Sequence, residues 1–594
     1  MQLHAIDWVF IVGYAVAAFG VGIYFSRRAS QSTEEFFIAG RALPWWLAGT
    51  SMVATTFAAD TPLAVSGLVR QGGIYENWLW WSSLMGGMLT VYFFARLWRR
   101  AGILTDAEFI ELRYSGSSAS ALRGFYAVFY GVISNCISTG WVILAMTKIC
   151  DVLLGWPKEL SVAVLVLLAL AYTALSGFWG VVMTDLIQFA MAMTGSVALA
   201  GIVLWQLGGP VGMVEQIAAT PGFDPKVFHL VPDWHTAGKL ALITFVVQIS
   251  LQWWGGGQGG GSLAQRLFST RDERHATLSY LWYTIAHYIL RPWPWIIVGL
   301  ASIAYFPVAA GEDPELAFPR MIAHCLPVGL RGLTVASLLA AFMSTIDTQL
   351  NWGSSYLIND LYRRFLVRGA SERHYVTASR FAMVIIVGCG ALAAWQADNI
   401  AKVWIYLLTL TAGGGFLGLL RWYWWRVNAW AEISALSSSL VAANGDVLCR
   451  GLAFVGLIPP SWLAGIDWFY ASDTYAIRLV FIIAVCTAVW VAVTFATAPV
   501  PLEHLGRFYR KVRPGGWWGP VAARHPDVEA DRASAGWLGW LAGVVCVYSG
   551  LFGIGLLCLG RYGGGLGCLV VAVGAGRIML TRTGSSVGPG PATA

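Results

Sequence analysis

One hydrophobic stretch of the chain carries a cluster of oxygen-bearing side chains. Small and hydroxyl residues recur there at helical spacing, at Ala341, Ser344, Thr345 and Thr348. Positions separated by three, four and seven residues share one face of a helix, and Asp347 lies beside that face. Hydroxyl, carbonyl and carboxylate oxygens are the ligands that hard cations prefer. The pattern therefore predicts a cation site, whereas isolated hydroxyls would only bond back to their own helix.

Two further carboxylates lie in hydrophobic segments. Asp60 is two residues before Pro62, and Asp185 stands early in another apolar run. A charged group at mid-membrane costs about 2.5–3.5 kcal/mol on insertion scales and generally marks an ion or solute path. Asp185 also admits a second interpretation, a position at the membrane surface, because its segment begins only a few residues earlier.

The composition is that of a membrane protein with many spans. Of the 594 residues 57% are hydrophobic and 12% are charged, and the mean hydropathy is +0.64, against about 25% charged residues in soluble domains. The net charge of +7 comes from the loops and does not indicate a nucleic-acid partner. The nine cysteines form no CxxC pair, and no HExxH motif occurs. An enzyme or a sensor with its own signalling domain is therefore disfavoured.

Two spans that must position these groups are interrupted. The first, about 44–69, breaks at Thr56–Pro62, and the second begins near Leu240 and ends in the run Gly255–Gly261. Unwound backbone is tolerated at membrane depth only where it is buried in protein or lines a cavity. Such a pair of broken spans is the best sequence indication of a transporter binding site. No lysine follows the glycines at P-loop spacing, so a nucleotide site is excluded.

Hydrophobicity predicts about fifteen spans. They lie near 7–25, 44–69, 77–96, 121–151, 159–176, 181–206, 238–256, 279–306, 331–363, 377–396, 402–424, 434–458, 476–497, 537–557 and 564–581. Arginines follow the odd-numbered spans one, three, seven, nine and thirteen, for example Arg27, Arg99, Arg266, Arg363 and Arg507. Basic loops stay in the cytoplasm, so the N-terminus is predicted outside.

The spacing of the two breaks predicts an inverted repeat. The broken spans are the second and the seventh, and units of five spans must enter the membrane from opposite faces. The predicted organisation is an N-terminal span and loop (1–43), a first five-helix repeat (44–206), an outer loop (207–237), a second repeat (238–424), accessory spans (425–497), a cytoplasmic loop (498–536), C-terminal spans (537–581) and a disordered tail (582–594).

Three motifs resemble the sodium:solute symporter family, over roughly residues 7–500. The first is Ala-Ala-Phe-Met-Ser-Thr-Ile-Asp-Thr-Gln-Leu at 340–350, followed by Asn-Asp-Leu-Tyr-Arg-Arg-Phe at 359–365. The second is Gly-Phe-Trp-Gly-Val-Val-Met-Thr-Asp-Leu-Ile-Gln at 177–188, and the third is Gln-Arg-Leu at 265–267 with Arg-Asp-Glu at 271–273. The resemblance implies an all-α polytopic membrane protein with a LeuT-type inverted repeat of five plus five helices and extra terminal spans.

The resemblance also implies a set of site residues. Sodium would be held by the carbonyls of Ala54, Phe57 and Ala341 and the hydroxyls of Ser344 and Thr345. A second sodium or proton site would use Asp185, Ser344, Asp347 and Thr348. The solute contacts would be Asp60, Thr61, Ser83 and, in the glycine run, Gln258. That run replaces an Asn-Gln pair present in many relatives, so sugar contacts cannot be transferred there.

The sequence thus predicts a sodium-coupled symporter that works by alternating access. Its cofactor is the sodium ion, and its partners are membrane lipid and a small solute such as a sugar, an amino acid or an organic acid. It is expected to be a monomer with many spans in the cell membrane. The alternative on the same scaffold is proton coupling, with Asp185 or Asp347 as the titrating group.

Overall fold

The computed structural model describes residues 3–29, 31–306, 311–531 and 536–586, and these are helical apart from turns, loops and two isolated bridges. The bundle contains the α-helices Ala5–Ala29, Trp45–Thr55, Asp60–Gly72, Trp78–Trp81, Ser83–Leu89, Ala95–Ala101, Gly116–Val128, Asn135–Leu154, Lys158–Gln206, Lys239–Ser250, Ser262–Ser269, Glu273–Ile285, Pro292–Tyr305, Leu330–Ser355, Glu372–Gln396, Ile400–Thr411, Gly415–Tyr423, Ala429–Ala443, Gly445–Phe454, Tyr475–Ala496, Gly536–Cys558 and Tyr562–Ser586. Short π-helical turns continue several of them, at Thr90–Phe94, Phe129–Ser134, Ala286–Leu290 and Tyr356–Leu366.

Fewer helices meet a strict length and hydropathy test than the predicted fifteen. Among the described residues nine helices are long and apolar enough to cross a membrane, and the pair Trp45–Thr55 and Asp60–Gly72, bent by 57°, makes a tenth. The other predicted spans are divided into shorter helices. The predicted span 279–306, for example, is divided into Glu273–Ile285, Ala286–Leu290 and Pro292–Tyr305. Gly177, with φ 57° and ψ −176°, a conformation open to glycine, separates the predicted spans 159–176 and 181–206.

Burial separates the central helices from those at the periphery. Within the apolar windows of the segments, 89% of residues are buried in Leu330–Leu366, against 17% in Ala5–Phe25 and 11% in Tyr562–Thr583. A helix that is apolar on all sides and exposed in this way faces lipid, whereas the buried helix is surrounded by protein. The oxygen-bearing stretch found in the sequence is therefore at the centre of the bundle.

The C-terminal helix Gly536–Cys558 packs against the segment after the first broken span. The indole of Trp540 donates to the Met85 carbonyl at 2.9 Å, and the Tyr548 hydroxyl donates to the Trp81 carbonyl at 3.0 Å. The accessory helix Tyr475–Ala496 packs instead beside Lys239–Ser250 and Ala429–Ala443. The predicted tail lies outside the described residues from 587 onward.

Candidate sodium and solute sites

At the first break the helix Trp45–Thr55 ends where the side chain of Thr56 hydrogen-bonds to two carbonyl oxygens of that helix. The hydroxyl of Thr56 lies 3.0 Å from the Met52 carbonyl oxygen and 3.1 Å from that of Val53. The Phe57 N–H then turns to the Ala54 carbonyl at 3.0 Å, and helix resumes at Asp60. The unwound backbone between them is buried in protein, as membrane depth requires.

The core helix Leu330–Ser355 meets this break through Thr345. The Thr345 hydroxyl lies 2.8 Å from the Thr55 carbonyl oxygen and 3.2 Å from the Ala341 carbonyl oxygen. The structure therefore brings together one hydroxyl and two carbonyls from the two predicted repeats. Uncharged oxygens converging from separate helices are a suitable ligand set for sodium, so these residues fit the ion. The Thr55 carbonyl was not among the predicted ligands.

The remaining predicted sodium ligands adjoin this contact. Ser344 donates to a carboxylate oxygen of Asp185 at 2.5 Å, which leaves its oxygen lone pairs available to a cation. The Ala54 carbonyl already accepts the Phe57 N–H, and the Phe57 ring packs edge-on against Trp295 with centroids 4.7 Å apart. The two segments chosen from the sequence thus contact each other, and their assignment to sodium stays a prediction.

Asp185 is fully buried at the centre of a polar cluster. Its second oxygen accepts from Ser51 at 2.5 Å. The guanidinium of Arg266, also fully buried, lies 3.5 Å from the same oxygen. The sequence analysis used Arg266 as part of a motif and as a basic residue of a predicted cytoplasmic loop, whereas the structure buries it. Its charge, within a short helix after a glycine run, could have indicated a buried partner for Asp185.

The four residues predicted for a second ion do not form one set. Thr348 accepts a hydrogen bond from Arg266 at 2.6 Å, and Ser344 and Asp185 bond to each other. Asp347 instead accepts a hydrogen bond from Thr173, which lies on a different helix. Proton or sodium binding by all four residues together stays a prediction.

A cavity of about 250 Å³ lies beside the glycine run of the second broken span. Its polar lining consists of Ser83, Gln252, Thr411, Thr487 and backbone of the glycine run, and Trp254 and Phe416 add aromatic surface. None of the lining residues is charged. Thr487 belongs to the accessory helix Tyr475–Ala496, outside the predicted ten-helix repeat. The cavity is suited to a small uncharged solute with hydroxyl groups.

The other predicted solute contacts lie elsewhere. Asp60 and Thr61 are buried and do not line the cavity. Among the described residues, one carboxylate oxygen of Asp60 has no hydrogen-bond partner, and the Trp404 indole N–H approaches this residue but falls short of hydrogen-bond geometry. Trp404 lies one helical turn before Leu408 in the cavity wall. Asp60 is thus buried and is not one of the residues that line the cavity.

Gln258 takes part in a buried charge cluster that the sequence analysis missed. Its side-chain oxygen accepts from Arg421 at 3.0 Å, and its backbone carbonyl accepts from the Trp98 indole at 2.6 Å. Arg421 pairs with Glu432 at 3.2 Å, and Glu432 also accepts from Tyr114 at 2.5 Å. Arg421 within the predicted span 402–424, and Glu432 two residues before the predicted span 434–458, were the available signal. The cluster anchors the glycine run to neighbouring helices.

Two discontinuous helices that meet a buried oxygen-lined helix define a secondary transporter of the LeuT type. The comparisons with known proteins agree. The chain belongs to the sodium:solute symporter family, whose model matches residues 36–441. Sodium-coupled solute symport is therefore its activity, in preference to proton coupling, and the chain is a transporter and not an enzyme.

Curated relatives match along most of their length. A sodium/glucose cotransporter 4 from Danio rerio is 24% identical, over 90% of this chain and 84% of that protein. The sodium/glucose cotransporter of Vibrio parahaemolyticus is 24% identical, over 74% of this chain and 84% of its own length. The sodium/mannose cotransporter of Bos taurus is 27% identical, over 77% of this chain and 81% of that protein.

A solved structure supports the fold. A sodium-coupled sialic acid symporter, in a substrate-bound outward-open state, superposes with a TM-score of 0.64 at 19% identity. The match covers 84% of this chain and 99% of the other. The LeuT-type fold expected from the sequence is thus confirmed.

Proposed function

We propose that this chain couples one sodium site, at the contact between Thr345 and the first break, to uptake of a small uncharged polyhydroxylated solute. The observation that carries the proposal is the position of the Thr345 hydroxyl between the Thr55 and Ala341 carbonyls. This contact joins the first element of one predicted repeat to the third element of the other. Any ligand held there stabilises one arrangement of the two repeats.

The residues that would hold sodium are Thr345, Ser344 and the carbonyls of Ala54, Phe57 and Ala341, with the Thr55 carbonyl added from the structure. The ion would supply the positive charge that holds these oxygens together. The chain's own part is to fix the end of helix Trp45–Thr55 and hence the start of Asp60–Gly72. The proposal requires that the ordered break also favour the solute-binding arrangement, so that each ligand raises the affinity for the other.

The solute class follows from the cavity and from the relatives. Hydroxyls, one amide and glycine backbone can exchange hydrogen bonds with sugar hydroxyls, and Trp254 and Phe416 can pack on a sugar ring. A charged solute would meet no opposite charge among the cavity-lining residues. The glucose and mannose carriers among the relatives make a neutral sugar the first candidate.

Uptake into proteoliposomes tests this proposal. A sodium gradient, with pH equal on both sides, should drive accumulation of a neutral hexose, and a potassium gradient should not. A uronic acid with the same ring adds only a carboxylate and should be taken up poorly. Equal or better uptake of the uronic acid would overturn the solute class, and no sodium-driven uptake of any neutral sugar would overturn the proposal.

Thr487 provides a more specific prediction about the cavity. Thr487→Val keeps the shape of the side chain and removes one hydrogen-bonding group. A hydrogen bond is worth about 0.5–1.5 kcal/mol, so the solute concentration for half-maximal uptake should rise about two- to tenfold. The matched control is Thr494→Val on the same helix, whose hydroxyl bonds to its own Trp490 carbonyl at 2.7 Å. Equal values for the two variants would show that the accessory helix does not contact solute.

The membrane orientation is also proposed here. Because most of the basic loop residues follow odd-numbered spans, we propose that the N-terminus lies on the outer side of the cell membrane. The protein is separately proposed to work as a monomer. A cysteine-labelling reagent that cannot cross the membrane should react with a cysteine introduced at the exposed position Ile6 in intact cells.

A further inference from the structure

The accessory helix Tyr475–Ala496 places a buried phenol beside the second broken span. Tyr475 is the first residue of this helix, and only 6% of its surface is exposed. Its ring packs with Leu68, which follows the first break, and with Leu79 of the next short helix. A buried tyrosine hydroxyl finds its hydrogen-bond partners inside the protein, so those partners show what Tyr475 positions.

The partners of the Tyr475 hydroxyl are two glutamines, one helical turn apart in the sequence. The amide nitrogen of Gln248 donates to the hydroxyl at 2.6 Å, and the hydroxyl donates to the side-chain oxygen of Gln252 at 3.3 Å. A hydroxyl has a single hydrogen, and because Gln248 supplies its own, that hydrogen is free for Gln252. Gln252 stands where regular helix ends, and it lines the cavity.

The nitrogen end of the Gln252 amide is held from the opposite side. It donates to the Leu79 carbonyl and, at 3.3 Å, to the Ser82 hydroxyl. A backbone carbonyl can only accept, so the nitrogen and not the oxygen of the amide must face Leu79. An amide nitrogen carries two hydrogens, and these two contacts use both of them. The amide of Gln252 is therefore oriented by Tyr475 at its oxygen and by Leu79 and Ser82 at its nitrogen.

This orientation leaves Gln252 one way to bind a molecule in the cavity. Its side-chain oxygen can accept two hydrogen bonds, and Tyr475 supplies one. The second can come from a solute, whereas both N–H groups are already used. Thr411 is similar, because its hydroxyl donates to the Leu407 carbonyl of its own helix at 2.9 Å and offers the cavity an oxygen. Two polar side chains of the lining thus present acceptors.

We propose that Tyr475 makes Gln252 a hydrogen-bond acceptor in the cavity, so that the transporter selects solutes that donate a hydroxyl hydrogen at this point. The proposal rests on the proposed function, which places the solute in this cavity. Tyr475 acts through Gln252 and is therefore a positioning residue. It gives the accessory helix a part in recognition that is separate from the contact predicted for Thr487.

Competition by modified hexoses tests the polarity of the contact. Sodium-driven uptake of a labelled hexose into proteoliposomes is measured against the same hexose with one hydroxyl at a time replaced by hydrogen or by fluorine. Fluorine cannot donate, so at the position that contacts Gln252 both analogues should compete about tenfold less well than the parent sugar. The proposal is overturned if the fluorine analogue competes as well as the parent at every position.

Tyr475→Phe tests the part played by the hydroxyl, since it keeps the ring that packs with Leu68 and Leu79. The Gln252 oxygen then loses its fixed partner, so the hexose concentration for half-maximal uptake should rise about three- to tenfold. The difference between the parent sugar and the fluorine analogue should shrink, while the sodium dependence stays as in wild type. The matched control is Tyr470→Phe, whose hydroxyl donates to the Ala442 carbonyl at 2.7 Å and does not line the cavity.

The possible failures point to different parts of the argument. A folded Tyr475→Phe protein with the wild-type hexose affinity and the wild-type preference for the parent sugar would overturn the role of Tyr475, even if its melting temperature were lower. An absence of sodium-driven hexose uptake by the wild-type protein would instead overturn the proposed function. Where Tyr475→Phe does not fold, the analogue series on the wild-type protein decides by itself.

Discussion

Replacing Ser344 and Thr345 together by alanine should raise the sodium concentration for half-maximal uptake at least tenfold. The double variant removes both hydroxyls from the proposed ligand set and leaves only backbone carbonyls. A hydrogen-bonding group that faces a charge is worth about 1.5–3 kcal/mol, and each 1.4 kcal/mol is a factor of ten in affinity. Even one effective ligand therefore accounts for the expected change.

The double variant should lose sodium affinity without losing folded protein. Thr345→Ala also removes the contact with the Thr55 carbonyl, and Ser344→Ala removes one hydrogen bond to Asp185, so folded yield must be measured in parallel. The control is Ser355→Ala, whose hydroxyl bonds to the Trp352 carbonyl of its own helix at 2.6 Å. Sodium dependence equal to wild type in a well-folded double variant would remove the site assignment.

Features that depend on helical periodicity and on backbone breaks could be predicted from the sequence. The face containing Ser344 and Thr345 follows from a spacing of three and four residues, and the structure places this face against the first break. The Gly255–Gly261 run predicted an interruption, and regular helix is absent there between Trp254 and Ser262 in the part of the chain described. Both are local properties, so neighbouring residues suffice to reveal them.

Long-range pairing could not be predicted in the same way. Arg266 and Asp185 are 81 positions apart, and the sequence around either residue does not indicate that it pairs with the other. Gln258 was assigned to solute because it stands in the glycine run, yet its side chain bonds to Arg421. The direction of a side chain from an irregular loop depends on the packing of distant helices, which the sequence does not disclose.

The cavity proposed to bind solute illustrates the same limit. Ser83 was predicted as a solute contact and lines the cavity, whereas Thr487 was missed because the accessory helix lies beyond the predicted repeat. Resemblance to a family transfers the residues of its shared core. It does not show how an added helix of this particular chain packs beside that core.

Breaking the buried pair between Arg421 and Glu432 should have the largest effect on stability. Arg421→Met leaves the Glu432 carboxylate with hydrogen bonds from neutral groups, the hydroxyls of Tyr114 and Tyr126, and with the buried Arg113 as a remaining cation that makes no hydrogen bond to it. Removing one partner of a buried ion pair costs about 3–5 kcal/mol, because the remaining charge is uncompensated. The melting temperature of the purified protein should therefore fall markedly, and transport should fall with it because Gln258 loses its anchor.

A compensating variant distinguishes charge from shape in this cluster. Arg421→Met combined with Glu432→Leu removes both charges, so most of the lost stability should return, since apolar replacement of a buried pair is often neutral or stabilising. Arg450→Met breaks an exposed pair with Asp467 and should change stability by less than about 1 kcal/mol. If the double variant regains stability without transport, the cluster acts on the glycine run through Gln258. If the single variant is as stable as wild type, the pair does not hold the bundle together.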